Sequence, residues 1–438
     1  MNINEKYKIA DLVINHAIKN GADQIVASID DSSSRRIEIR EQKIDRLQES
    51  IGNTLTIKLY VKKKYSAHTT NHLKEKELLK FVEEAITATK YLTEDEFRYL
   101  PEKELYYKGG SEDLKTLDPA INSIDSKTKI ELARQVEGEV YGTDKRIVSV
   151  TSYYFDNVSN QVLVASNGFR GETGSSAAGL SADVSVKGET GRPSDYWSES
   201  NVFFDRFKKT GIGKTALERA LNKLNPKKIA SGKYPMIIEN LVAGNLLGPF
   251  LSALYGASMY QKNSFLIGKV NSKVGSDKLS FEDNPLLTSG IGSRLFDFEG
   301  LATSRRPIIE EGILRNYFIG TYYGRKLKLQ PTTANPSNLV FKTGGKDLNS
   351  LIKSVDKGVF ITGFNGGNCN GSTGDFSYGI EGFLIEKGNI IHPVNEMNIS
   401  GNMTQFWNTL TETGNDPNPY SQYMTPSMLF ENTDFSGI

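Results

Sequence analysis

A chain of 438 residues with 53 Lys and Arg against 52 Asp and Glu is long enough for two or three domains. Its net charge of +1 offers no general attraction for phosphate, which argues against a dedicated nucleic-acid binder, and its single cysteine excludes an internal disulfide and fits a reducing compartment. No run approaches the ~18 apolar residues of a membrane helix, and the N-terminus lacks the apolar core of a signal peptide, so the expectation is a soluble cytoplasmic protein that does not engage membranes.

Residues 6–19 place Ile9, Leu12, Val13, His16 and Ala17 on one helical face, and Asn20-Gly21 supplies a stop. Strands are expected over 22–28, 36–42 and 55–66, the last alternating as Leu55, Ile57, Leu59 and Val61. A helix over 73–91, N-capped by Thr70 or Asn71, completes an N-terminal α/β domain, residues 1–92. Polar, Pro-containing sequence over 93–113 reads as a linker or long excursion. A middle domain, 111–225, runs from a helix over 127–141 through antiparallel strands at 147–156, 161–166 and 176–186 to a helix over 213–224. The third, 226–438, opens with a strand at 234–238, carries a central helix within 236–260, and becomes β-rich, with hairpins expected at 308–314 and 384–390. This irregular mixture predicts an α+β protein.

Several segments carry a family resemblance: ENLVAG at 239–244 followed by Leu246-Leu247-Gly248, QKNSF at 261–265, FDFEG at 296–300, Arg305-Arg306 through Leu314, TGDFS at 373–377, and Glu381-Gly382 through Gly388. With them the chain resembles the TldD/PmbA family, also called modulators of DNA gyrase, in its PmbA (TldE) branch. The resemblance implies a cytosolic metallopeptidase assembly acting on unfolded or unstructured peptides. In it a TldD-type subunit holds the metal and a PmbA-type subunit pairs with it around an enclosed cavity. Zinc is therefore expected in the TldD-like partner of a heterodimer and not in this chain, with a homodimer open to the isolated chain. A zinc peptidase helix needs two imidazoles and a Glu to activate the bound water. Aligned on that motif, the first ligand becomes Gly248, the general base Pro249 and the second ligand Ala253. None of the three can ligate a metal or accept a proton. The metal-bearing branch also supplies a Cys near its C-terminus, whereas residues 425–438 contain none.

His68 and His72 have HxxxH spacing, but the pair is expected to straddle a strand end and a helix start; His16 sits in an apolar stripe. Gly211-Ile212-Gly213-Lys214-Thr215 imitates a phosphate loop but has Lys208 where that loop needs a Gly. Cys369, in a Gly- and Asn-rich segment, could serve an independent cysteine hydrolase only if His392 reached it. Among the carboxylates Asp375, Glu381 and Glu386, strand alternation sets the first two on one face. Thr373, Gly374 and Asp375 are candidates for a corner of the peptide cavity, where Arg305 and Arg306 could meet a substrate carboxylate or an interface acid. The family's older name keeps a second function class in view, a binding protein that regulates DNA gyrase or another topoisomerase.

Overall fold

The computed structural model describes residues 1–110, 112–189 and 191–437. Ser111 and Ile438, set above as limits of units, lie outside the described residues.

The chain opens with α1 (Ile3–Lys19), started by a capping box in which Asn2 and Glu5 exchange side chain-to-backbone bonds of 3.0 Å each. There follow β1 (Gln24–Arg40), β2 (Lys43–Val61), β3 (Lys64–Thr70), α2 (Glu75–Thr89), α3 (Ser126–Gly138), β4 (Ile147–Ala165), β5 (Arg170–Val186), β6 (Ser194–Asn201) and α4 (Ile212–Asn222). The N-terminal and middle strands form a single antiparallel sheet in the order β3-β2-β1-β4-β5-β6, β1 pairing with β4 from Val26↔Ala165 to Arg40↔Thr151. Pairing therefore runs straight across the segment read above as a domain junction.

Three expectations need correction. Segments 22–28 and 36–42 belong to one strand, β1, and 147–156 and 161–166 to another, β4, while 55–66 is divided by a tight turn at Lys62-Lys63, both with positive φ. The helix at 75 is N-capped by Lys74 without a side-chain bond, because β3 takes Thr70 into the sheet and Asn71, in the bend after it, lies too far ahead of the first helical residue. The excursion 93–113 is packed: Leu100 and Tyr106 are buried, and the Tyr107 amide donates to the Gly300 carbonyl.

The long strands have apolar ends and polar middles. On one face of β1, Ile25, Ala27 and Ile29 pack under α1 and α2, and Ile37 and Ile39 under α3 and α4. Between them Asp31, Ser33 and Arg35 share that face. The gap is closed by charge: the Lys6 ammonium from α1 meets Asp31, and buried Lys129 from α3 reaches buried Asp156 at 2.6 Å. Such pairing is required, since an unmatched buried ion is costly. The opposite face, through Val26, Leu163 and Phe169, packs on Phe296 of the third unit.

The third unit contains β7 (Gly232–Ile238), α5 (Gly244–Ser252), α6 (Gly256–Tyr260), β8 (Phe281–Asp283), β9 (Arg306–Glu310), β10 (Ile313–Leu314), α7 (Thr321–Leu327), β11 (Leu339–Phe341) and α8 (Leu348–Lys353). It ends with β12 (Lys357–Cys369), β13 (Asp375–Glu386), β14 (Asn389–Asn402), α9 (Met403–Phe406), β15 (Leu410–Thr413), β16 (Tyr423–Met424) and β17 (Met428–Ser436). Strands β14-β13-β12-β7-β17 close into a barrel through β14–β17 pairing at Asn398–Ser400, leaving β15 on β17, while β10-β9-β8-β11-β16 form a second sheet. Alternation along the strands puts Met236, Ile238, Val359, Ile361 and Ile399 in one core with α5, and Ile237, Phe360 and Ile385 in another under α8. Both expected hairpins are present, each with a two-residue turn of positive φ, Glu311-Gly312 and Lys387-Gly388. The fold is α+β, and no helix among the described residues is long and apolar enough to cross a membrane.

Candidate functional site

Helix α5 leaves the end of β7 and buries Leu246, Leu247, Phe250 and Leu251. The Phe250 ring lies 5.6 Å from that of Trp407 and 6.2 Å from that of Phe265, so the helix is anchored on its aromatic side. The three positions aligned with the metal motif differ in their surroundings. Gly248 opens on free space, with nothing within 4 Å of an added Cβ. Pro249 lies inside the helix, where it has no N–H for the Asn245 carbonyl one turn back; Asn245 is exposed, so water can serve that oxygen. Ala253 is buried, its N–H donating to the Pro249 carbonyl at 3.2 Å and its carbonyl accepting from the Ser264 hydroxyl at 2.6 Å.

That last bond fastens the 261–265 segment beneath α5, and the 370–375 turn closes on the same segment. The Ser372 hydroxyl lies 3.2 Å from the Lys262 carbonyl and 3.3 Å from Asn263 Oδ1. Gly374, at φ +84°, abuts Phe265, where any Cβ would sit 3.3 Å from the ring. Asp375 accepts from Thr373 Oγ1 at 2.7 Å and Asn402 Nδ2 at 2.8 Å, and these bonds hold its carboxyl below the usual range. Thr373, Gly374 and Asp375 thus form one internally bonded turn beside the helix.

The arginines do not join it. Arg305 donates through Nε to both oxygens of Glu282 at 2.7 and 2.8 Å, and Arg306 is tied to Asp283 at 3.1 Å, the Thr332 carbonyl at 2.7 Å and Thr333 Oγ1 at 2.6 Å. Their charge is spent within the chain, so the expected meeting of Arg306 with an external carboxylate is not supported by its contacts.

The Cys369–His392 dyad is overturned. Cys369 pairs with Phe376 at the start of β13 and His392 with Leu384, eight residues further on, which at about 3.3 Å per residue sets them roughly 26 Å apart. The thiol is also pushed up by burial and by Asp375, the reverse of an activated nucleophile. The other histidines go to local partners: His16 lies 2.9 Å from Glu83, His68 2.8 Å from Ser66 Oγ, and exposed His72 3.6 Å from Glu77. The phosphate-loop lookalike is filled by the chain itself, since the Glu139 carboxylate accepts from the amides of Gly211, Gly213 and Lys214 at 2.6, 2.8 and 3.3 Å.

Around α5 the available groups are therefore hydroxyls, side-chain amides, backbone carbonyls and the one carboxylate of Asp375, already held by Thr373 and Asn402. Among the described residues no group of three or more His, Cys, Asp and Glu could hold a metal ion. The donor set does not fit a catalytic zinc, and no step through a metal follows from this chain.

Two features escaped the reading of the sequence. One is the ion-pair cluster of Arg219, Glu239, Asp195, Lys223 and Glu381 where α4 and β6 meet the barrel. The other is Asp297, buried with one oxygen unpartnered, its carboxyl raised to about 6 by desolvation and then by Glu299. The one available signal was that Glu239, Glu381 and Asp297 stand in the motif segments.

Comparison with known proteins places this geometry. Residues 231–437 match the PmbA/TldA metallopeptidase C-terminal domain and residues 119–224 the central domain. A metalloprotease PmbA homolog of Haemophilus influenzae is 30% identical over 96% of this chain and 94% of its own length, and metalloprotease PmbA of Escherichia coli O157:H7 is 28% identical over 92% and 89%. A crystal structure from Bacteroides thetaiotaomicron, described as that of a proposed modulator of DNA gyrase, superposes with a TM-score of 0.98 at 46% identity, covering all of both chains. TldE from Thermococcus kodakarensis, at 18% identity and a TM-score of 0.86 over 98% of this chain and all of its own, shares the fold. With both domains matched and a relative aligned across nearly its full length, the chain belongs to the PmbA/TldD metallopeptidase family.

Proposed function

We propose that this chain is the non-catalytic, PmbA/TldE-type subunit of a cytoplasmic peptidase. It pairs with a homologous, zinc-bearing TldD-like subunit and supplies half of a chamber for unstructured peptides. The observation that carries this reading is the composition of α5, which offers Gly248, Pro249 and Ala253 where a peptidase needs two imidazoles and a carboxylate. Holding substrate is left to the exposed turn at Thr373–Asp375 and to strand edges able to add an extended peptide by main-chain bonds. The partner's metal-bound water attacks the peptide bond. The likeness to relatives called metalloproteases supports the reaction class, and the fold shared with TldE supports the branch.

Mixing this chain with a TldD-like subunit that carries an intact HExxxH, and assaying an unstructured peptide with each alone and with both, is the decisive experiment. Cleavage by the pair and none by this chain alone is expected. Full cleavage by the other subunit without this chain refutes the accessory role. The gyrase-regulator reading rests on the description of its structural relatives; the near-balanced charge argues against it, and salt-dependent DNA binding by the purified chain would revive it.

A further inference from the structure

A cavity of about 180 Å³ lies between the back of the first sheet and the third unit, well above the roughly 10–15 Å³ needed for one water. Two cations line it, Lys58 of β2 and Arg98 of the 93–113 excursion. Other buried cations have partners: Arg219 has Glu239, Arg306 has Asp283 and Lys129 has Asp156, while Arg294 has the Asn335 and Pro336 carbonyls. Lys58 and Arg98 have no carboxylate within ion-pair distance among the described residues. The Lys58 ammonium has only the Phe298 carbonyl at 3.5 Å and the Phe298 ring at 5.0 Å. The Arg98 guanidinium lies 3.4 Å from the ring centre of Tyr322 and 4.4 Å from that of Tyr65. Aromatic rings thus pack on the guanidinium, and among the described residues its side-chain N–H groups have no acceptor.

Among the described residues Glu299 is the one carboxylate on the wall, and both its oxygens are already engaged, by the Thr321 hydroxyl at 2.5 Å and the Thr321 amide at 2.9 Å. The lining therefore carries two positive charges against one negative charge that is already hydrogen-bonded to Thr321. Burial depresses Lys58 most, Glu299 and Asp297 act against that, and Arg98 adds a smaller depression, so an anion between the two cations would offset the cost of burial and their mutual repulsion.

We propose that this cavity binds a small carboxylate carried on an aromatic body, with Arg98 offering its paired N–H groups to the two oxygens and Lys58 supplying the second charge. A guanidinium fixed by stacking is suited to the planar, two-oxygen geometry of a carboxylate. A lining with a net charge of one matches a monoanion better than the doubly charged form of phosphate, and the walls of Tyr60, Tyr65 and Phe298 provide apolar contact for a ring. The site needs neither the partner subunit nor the peptidase reading.

Titration calorimetry on the full chain tests it with three probes: N-acetyl-L-phenylalanine, its carboxamide, and inorganic phosphate. The acid is expected to bind at one site per chain in the millimolar range or tighter, with the carboxamide and phosphate at least about tenfold weaker. Arg98→Gln and Lys58→Met should each weaken the acid by about tenfold or more. If either variant is unstable, the comparison of acid with carboxamide on the unaltered chain still decides. No binding of the acid, equal binding of the carboxamide or phosphate, or affinity unchanged in both variants would overturn the proposal.

Discussion

Arg219 of α4 and Glu239, the residue that follows β7, form a two-pronged ion pair, Nη1 to Oε1 at 2.7 Å and Nη2 to Oε2 at 3.0 Å. The same guanidinium approaches Asp195 of β6 at 3.3 Å, and Lys223 links Asp195 at 3.1 Å to Glu381 of β13 at 3.0 Å. Charge thus bolts the helix layer of the first sheet to the barrel. Arg219→Ala leaves largely buried Glu239 without its cation and Asp195 with Lys223 alone, and is expected to cost about 3–5 kcal/mol. Arg219→Lys keeps the charge but loses the fork and should cost less, about 1–2 kcal/mol. Urea midpoints of the two variants measure this, and equal stability of Arg219→Ala and the parent chain would show that the pair does not hold the units together.

Asp297 sets a pH dependence of stability. Its Oδ1 accepts from the amides of Glu299 at 2.9 Å and Leu301 at 3.0 Å, while buried Oδ2 has no partner. The folded carboxyl, at about 6, binds its proton more tightly than the unfolded one near 3.8. The stability contributed by that proton is complete below pH 3.8 and is lost as pH rises through 6. At about 1.4 kcal/mol per tenfold change in proton affinity, the loss at neutral pH is on the order of 3 kcal/mol. Asp297→Asn retains an oxygen for the two amides and cannot ionise. The variant should gain about 1–2 kcal/mol at pH 7, since its amide N–H still lacks a partner, and lose its share of the slope between pH 4 and 6. Melting curves across that range check it; an unaltered slope rejects the assignment.

What the sequence made legible was local. Glu310 to Ile313 and Glu386 to Asn389 announce hairpins because a two-residue turn with both φ positive selects Gly at its second place, and both turns are found. The span of β1 was not legible, since Asp30 to Arg35 looks like a loop until Lys6 of α1 and the β4 register, the latter more than 100 residues away, supply its partners. The same division holds at the site. Missing donors at 248, 249 and 253 can be read from the letters, but whether each position faces space or packing is decided by the fold. Cys369 and His392 sit in neighbouring segments of sequence, yet the strand between them holds them apart.

Cys369 is expected to behave as an unreactive thiol. Burial and the nearby Asp375 carboxylate both disfavour the thiolate. Iodoacetamide should modify it more slowly than a free thiol at pH 8, and Asp375→Asn, which removes the smaller of the two causes, should speed the reaction modestly. Cys369→Ala should leave any peptide cleavage by the assembled enzyme unaltered. Loss of cleavage in that variant would return the cysteine to the list of catalytic groups.

Gly248 and Ala253 respond oppositely to added atoms. Nothing lies within 4 Å of a Cβ at Gly248, so Gly248→Ala removes the entropic penalty of a mid-helix glycine and should stabilise by about 0.5–1 kcal/mol. Ala253 is buried at the end of α5, with its carbonyl held by Ser264. Ala253→His forces an imidazole into packed surroundings without a prepared partner and should cost roughly 1–3 kcal/mol or more. Restoring both imidazoles in Gly248→His/Ala253→His should therefore give a destabilised protein whose melting temperature does not rise on adding zinc, because the second ligand has no room to take up a coordinating position. A stable double variant with zinc bound one to one would mean that this helix still keeps the shape of a metal site and has lost only its side chains.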